Sequence, residues 1–489
     1  MTRRISGLIA CAVGGMLLWP ALAATQGPSW PSERPPRPLA PRPVNFPPYE
    51  VRTLPNGLQV VVVPHHEQPA VSIRMLVRAG AAYDPPGKAG VASMSASLLD
   101  QGTTSRSAAQ IADTIDFIGG SLSTGAATDL TFINVLVMKD NFQLGLDLLS
   151  DVARNPVFDP AELERQREQA LGSLQVSYED PEYIANVVFE RLVYGFHPYG
   201  MPNNGTPETV AKLTRDDIRD FHRKYFAPNN ALMAIVGDVT NEEAFAAAER
   251  VLGNWERKPI EAPASVDPPK PARRVIVIDK PDSVQTEIRA GHLGIPRKHR
   301  DYMSLNLAIK ILGGEGSNRL HRVLRTERAL TYGASADMDT FRDTGNVVAE
   351  TDTRSAATGE ALRLIVEEFF RLQRERPYER ELSDAQAYLT GSFPLTIETP
   401  NAIATQVLNA LFYGLPLEEL QTYRDRVNAV SVDDIERVAR YYLQPDRLSV
   451  ALVGNAAAFR DQLPRAGFSK YEVIPLSELD LFAADFRRH

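Results

Sequence analysis

The side chains that bind metals or move protons near neutral pH are few and scattered in this chain. Its eight histidines are His65, His66, His197, His222, His292, His299, His321 and His489. Only His65 and His66 are close, and adjacent residues on a strand point to opposite faces. The single cysteine, Cys11, lies in the first 23 residues. The stretch GVASMSASLLDQGT (residues 90–103) has the small and apolar texture of a buried helix and carries Ser93 and Ser97. A nucleophilic serine needs a positioned base, and this stretch offers none. Gly313, Gly314 and Gly316 do not form a phosphate loop, because no Gly-Lys-Ser/Thr follows them.

The elements that must position these residues come next. The 489 residues, 44% hydrophobic and 23% charged, fit two to four globular domains. A net charge of −8 without a long basic run argues against nucleic-acid binding. Arg3 and Arg4 precede an apolar run over 7–22, and Ala21-Leu22-Ala23 fits a small-x-small cleavage site. Residues 1–23 therefore read as a secretory signal peptide, too short and Pro-interrupted for a stable membrane span after processing. Its removal would take Cys11 with it. Residues 24–48, with nine prolines over 26–48, read as a semi-rigid lead-in.

Asn56-Gly57 between extended runs predicts a hairpin. Ser107 and Gln110 predict a capping box ahead of Ile111, Ile115 and Ile118, with Gly119-Gly120 ending that helix. Strands and helices mix without strict alternation, which predicts an α+β fold. A second Pro-rich stretch, 258–273, reads as a linker between an N-terminal lobe (49–257) and a C-terminal lobe (274–489). The lobes are related. Residues 213–238 align without gaps on 430–455, an offset of 217 positions (430 − 213). Asp216/Asp433, Asp217/Asp434, Ile218/Ile435, Arg223/Arg440, Tyr225/Tyr442, Pro228/Pro445, Ala234/Ala451, Val236/Val453 and Gly237/Gly454 agree. Each copy reads as a capped helix, a Pro turn and a buried strand.

A duplicated chain with an Asn-Gly hairpin start and a helix ending in Gly-Thr resembles the pitrilysin/insulinase-like zinc peptidases, the inverzincins, over about residues 51–465. The resemblance implies two duplicated α/β-sandwich lobes that form a clam-like half chamber. In that family the helix carries H-x-x-E-H, with a third zinc ligand, a glutamate, on a later helix. On this sequence the first histidine falls at Ser93, the glutamate at Ala96, the second histidine at Ser97 and the third ligand at Ser173. Serine is a poor zinc ligand beside imidazole, thiolate or carboxylate, and alanine is no base. The metal site is degenerate, and no metal or other cofactor is expected in this chain.

The stretch from Leu324-Arg325 to Tyr332 resembles the family's C-terminal signature L-R-x-x-x-x-L-x-Y. The resemblance implies that Arg325 and Tyr332 hold substrate and stabilise the tetrahedral intermediate at a zinc site facing them. An arginine fork suits carbonyl or carboxylate oxygens, and a tyrosine hydroxyl can donate to an oxyanion. The family binds peptides by strand addition to a sheet edge. Here that edge is 119–127, with Ser123-Thr124 where the family usually has Asn-Ala.

The expectation is therefore a non-catalytic, metal-free subunit of a heterodimeric periplasmic zinc peptidase. Its partner would carry H-x-x-E-H and the zinc, and its substrate would be a peptide. The alternative is a peptide-binding or assembly scaffold with no role in cleavage.

Overall fold

The computed structural model describes residues 45–261, 266–314 and 318–489. The signal peptide, Cys11, most of the lead-in, four linker residues and 315–317 of the glycine-rich stretch lie outside the described residues. Residues 45–489 form one compact unit.

Among the described residues, twelve strands build two six-stranded sheets. The first comprises β1 (Glu50–Thr53), β2 (Gln59–Pro64), β3 (Ala70–Val77), β4 (Ser121–Ala126), β5 (Thr131–Met138) and β6 (Ala231–Gly237), in the order β1-β2-β6-β3-β5-β4. The second comprises β7 (Arg274–Asp279), β8 (Gln285–Leu293), β9 (Ala334–Thr340), β10 (Gly345–Arg354), β11 (Ser449–Gly454) and β12 (Glu472–Pro475), in the order β12-β7-β11-β8-β10-β9. Five strands of each sheet correspond one to one: β2-β6-β3-β5-β4 repeats as β7-β11-β8-β10-β9. In both, the first pair is parallel and the other three are antiparallel. The sixth strand differs, since β1 pairs antiparallel with β2 whereas β12 pairs parallel with β7.

The duplicated segment folds alike in both copies. Thr214 and Asp217 form a capping box on the helix Arg215–Tyr225, and Ser431 and Asp434 do so on the helix Val432–Tyr442. Each helix leads through a Pro turn into a strand, β6 or β11, that is buried at every position. Such continuous apolar runs suit a strand covered on both faces. The hairpin also forms. Gly57 adopts φ 90° and Leu54 N–H donates to Leu58 O at 2.9 Å, so the turn spans five residues. The Asn56 side chain ties the turn to the rest of the half: its Oδ1 accepts from Leu58 N–H at 3.2 Å within the turn, and its Nδ2 donates to Leu252 O at 2.7 Å.

One packing arrangement is not visible in the repeat. The helix Pro181–Tyr194, from the first half, packs on β8 and β11 of the second sheet, and the helix Pro400–Phe412, from the second half, packs on β3 and β6 of the first. Ile403, Val407 and Leu408 are fully buried there with Val61, Leu76 and Leu232. Each such side chain contributes roughly 1.5–3 kcal/mol by burial. Polar ties follow the same exchange: Arg74 Nη1 donates to Thr405 Oγ1 at 2.9 Å, and Arg289 Nε to Asn186 Oδ1 at 2.6 Å. Among the described residues, no helix is long and apolar enough to cross a membrane.

Candidate functional site

The serine-bearing stretch folds as the helix Val91–Ser97. Its start is set by Gly90 at φ 99°, a left-handed conformation that favours glycine. The carboxylate of Asp84 accepts from Gly90 N–H at 2.7 Å and Ala92 N–H at 2.8 Å. Burial outweighs these bonds and pushes the Asp84 carboxyl up to about 7. Val91, Ala92, Met94 and Ala96 are buried. Ser93 and Ser97 point the other way and are half-buried.

The helix Pro160–Ser177, capped by Asp159, carries the remaining position. Ser173 is exposed on it. The two helices enclose a cleft of about 200 Å³ lined by Ser93, Ser97, Gln169, Ser173, Tyr183 and Asn204 among others. The structure thus brings Ser93, Ser97 and Ser173 to one cleft. Ala96 contributes no side chain to it and is fully buried.

This donor set does not fit zinc. Three hydroxyls replace imidazole and carboxylate, and two are already engaged. Ser93 Oγ donates to Asn204 Oδ1 at 2.9 Å, and Ser97 Oγ to the carbonyl of Met94 in its own helix at 3.0 Å. Among the described residues, no three His, Cys, Asp or Glu side chains converge as a metal-binding group. The histidines serve local roles instead. His197 caps a short turn, His222 stacks on Phe226, and His66 pairs with Asp238 at 2.5 Å. The lining holds one unsatisfied group: Tyr183 Oη is buried without a hydrogen-bond partner. Burial raises that phenol to about 12, so it stays protonated as a donor.

The edge strand 119–127 forms as β4, the outermost strand, paired with β5 alone. Ser121 and Ser123 are exposed on it. Thr124 turns inward, and its hydroxyl donates to the carbonyl of Ala96 at 2.7 Å. Sequence reasoning noted Thr124 only as a departure from Asn-Ala. The signal for a tie to the helix was its hydroxyl on the inward-facing register of the strand.

Arg325 and Tyr332 lie elsewhere. Residues His321–Glu327 form a π-helical turn. Arg325 is exposed, with Nη1 3.1 Å from His321 Nε2. Tyr332 is 85% exposed on the loop before β9. Ala329 between them adopts φ 51°. Neither lines the serine cleft.

A clam-like pair of repeated sheets, with a polar cleft at the helix facing an edge strand, defines a peptidase-like architecture, and the comparisons agree. Residues 59–201 match the family described as Insulinase (Peptidase family M16), and residues 212–389 match Peptidase M16 inactive domain. An uncharacterized zinc protease of Mycobacterium leprae is 26% identical over 419 residues, covering 84% of this chain and 93% of that protein. One of Bacillus subtilis is 23% identical, covering 81% and 95%. The crystal structure of a peptidase M16 inactive domain from Pseudomonas fluorescens is similar at TM-score 0.79 and 26% identity, covering 83% of this chain and 98% of that one. A protease from Helicobacter pylori shares the fold at TM-score 0.78 and 22% identity, covering 84% and 100%. The chain belongs to the insulinase-like, M16 peptidase family, and it is a homologue of zinc proteases.

Proposed function

We propose that the protein is the metal-free, non-catalytic subunit of a heterodimeric periplasmic zinc peptidase. Its partner is a family member that carries H-x-x-E-H and the zinc. Peptide substrate is held between the two, with Arg325 and Tyr332 of this chain presented to the partner's site. The observation that carries this reading is the cleft itself. Ser93, Ser97 and Ser173, which the family pattern sets at the ligand positions, line one cleft, and hydroxyls there would stand in place of imidazole and carboxylate. The exposure of Arg325 and Tyr332 supports a role across an interface, since neither is used inside its own chain's core. The secretory reading of residues 1–23 supports the compartment.

The test is peptidase activity and bound zinc, measured on this chain alone and after mixing with the H-x-x-E-H family protein of the same genome. Activity in the mixture only, with about one zinc per pair, supports the split enzyme. In that complex, Arg325→Ala and Tyr332→Phe should each lower turnover by about tenfold or more while assembly persists. Wild-type rates in both variants would remove the cross-interface role. A complex without activity would favour the scaffold reading.

A further inference from the structure

A second cleft lies in the C-terminal half, among the helices Tyr302–Gly313, Glu379–Ser392, Pro400–Phe412 and Tyr423–Asn428. Its volume is about 400 Å³, against about 200 Å³ for the serine cleft. The two clefts are counterparts. The exchanged helices Pro181–Tyr194 and Pro400–Phe412 both open at a proline behind a capping side chain, Asp180 or Thr399. The first ends at Tyr194-Gly195 and the second runs into Tyr413-Gly414, with both glycines at positive φ, 61° and 64°. The offset is 219 positions (414 − 195). In that register Gln169 and Ser173 fall on Tyr388 and Ser392; the first pair lines the serine cleft and the second pair lines the larger one.

The chemistry has changed between the counterparts. The larger cleft has aromatic walls: Tyr302, Tyr413, and the pair Phe393 and Tyr423 stacked at 4.5 Å between ring centroids. Three cations line it. Arg426 is paired with Glu419, and Lys310 with Asp337 at 2.7 Å. Arg297 is different. Its guanidinium is half-buried, 3.8 Å above the Tyr302 ring, and no carboxylate pairs with it among the described residues. Gln406 and Asn409 also line it, and among the described residues neither side-chain amide makes a hydrogen bond. A guanidinium stacked on an aromatic face keeps its fork free for a carboxylate. Two open amides suit a peptide main chain, and the rings suit an aromatic side chain.

We propose that this cleft binds a peptide through an aromatic side chain and an adjacent carboxylate, with Arg297 holding the carboxylate and Gln406 and Asn409 the main chain. A nucleotide offers aromatic and anionic groups too, but a phosphate chain would meet one open cation and the Glu419 carboxylate. A single carboxylate matches the charge better. The site goes beyond the split-peptidase reading and needs no partner, so it stands or falls separately.

The test is calorimetric titration of the chain alone with three acetylated tetrapeptides. The first is Gly-Ala-Gly-Phe as the free acid, the second is its C-terminal amide, and the third is Gly-Ala-Glu-Phe as the amide. AMP is the fourth titrant. We expect saturable one-site binding of the first or the third, and the neutral amide should bind about tenfold weaker or worse. Preference between the first and third tells a C-terminal from a side-chain carboxylate. Arg297→Gln should lower the affinity about tenfold and abolish the preference for charge. Gln406→Leu should weaken all three peptides alike, and Ser93→Ala in the other cleft should change nothing. Binding of the neutral amide as tight as that of both carboxylate peptides, tighter binding of AMP, or no saturation by any peptide at millimolar concentration would overturn the proposal.

Discussion

Thr124 on the outermost strand β4 donates its hydroxyl to the carbonyl of Ala96, 2.7 Å away in the last turn of the helix Val91–Ser97. That carbonyl is one of the terminal acceptors that a helix leaves without an intrahelical i+4 partner. It already accepts from Leu99 N–H at 3.2 Å, so the Thr124 bond adds a further donor to a helix end and fixes the edge strand against the wall of the serine cleft. Thr124→Val keeps the shape and removes the donor. It should cost about 1 kcal/mol in urea unfolding, and Thr124→Ser should recover most of it. Amide exchange along Ser121–Ala126 should quicken in the valine variant. Unchanged exchange would mean that β5 alone holds the edge.

The exchanged helices make the two halves interdependent. The first sheet buries one face under Ile403, Val407 and Leu408, which are supplied by the second half. A fragment ending near residue 257 would leave that face open, an apolar area too large for a stable soluble domain. We expect residues 45–257 alone to aggregate or to unfold without a cooperative transition. Co-expression with residues 266–489 should rescue them. At single-residue scale, Leu408→Ala should cost about 2–5 kcal/mol and lower one common unfolding transition for the whole unit. Two separate transitions, with only the second half affected, would contradict the exchange.

Glu190 lies on the other exchanged helix. Burial, reinforced by the nearby Asp339 carboxylate, pushes its carboxyl up to about 7 from an ordinary value of 4.5. The folded chain then holds this proton at pH values where the unfolded chain has released it. Stability from this group falls as pH rises from about 4.5 to about 7, and the loss is complete above that window. Glu190→Gln cannot titrate. The difference in urea midpoint, variant minus wild type, should climb through the same window and flatten above it. A difference independent of pH would show that the carboxyl is ionised throughout.

Several of these relationships were legible before any fold was known, and the reasons are local. The capping boxes at Thr214/Asp217 and Ser431/Asp434 announce themselves within four residues, so the 217-residue repeat could be aligned by eye. Asn56-Gly57 marks its own turn. Ser93, Ser97 and Ser173 were brought together by a family pattern, and all three line one cleft. The helix exchange was not legible. The apolar face of Pro400–Phe412 says that it will be buried, but not under which of two nearly identical sheets. Nor was the correspondence of the two clefts, because its offset is 219 rather than 217 and its paired residues, such as Gln169 and Tyr388, differ in type. The exposure of Tyr332 has a local cause. Leu330 and Ala334, on either side, take the buried positions and leave the tyrosine outside.

The serine cleft makes the last prediction, because it separates lost ligands from lost geometry. If the fold still holds the ligand positions in register, restoring the side chains should restore the metal. The variant combining Ser93→His, Ala96→Glu, Ser97→His and Ser173→Glu supplies two imidazoles and a carboxylate as ligands, and one carboxylate as base. Gly90, Asp84 and the Thr124 tie remain to hold the helix that presents them. After dialysis against dilute chelator, elemental analysis should find about one zinc per chain in the fourfold variant. The Ser173→Glu single variant should retain none, because a lone carboxylate cannot hold the ion. Ala96 is the position at risk, since its side chain is fully buried and lies outside the cleft lining. The triple variant that leaves Ala96 in place should therefore still bind zinc and show no peptidase activity. Failure of both multiple variants to retain zinc while folding normally would show that the helices Val91–Ser97 and Pro160–Ser177 have drifted from the spacing a tetrahedral ion demands.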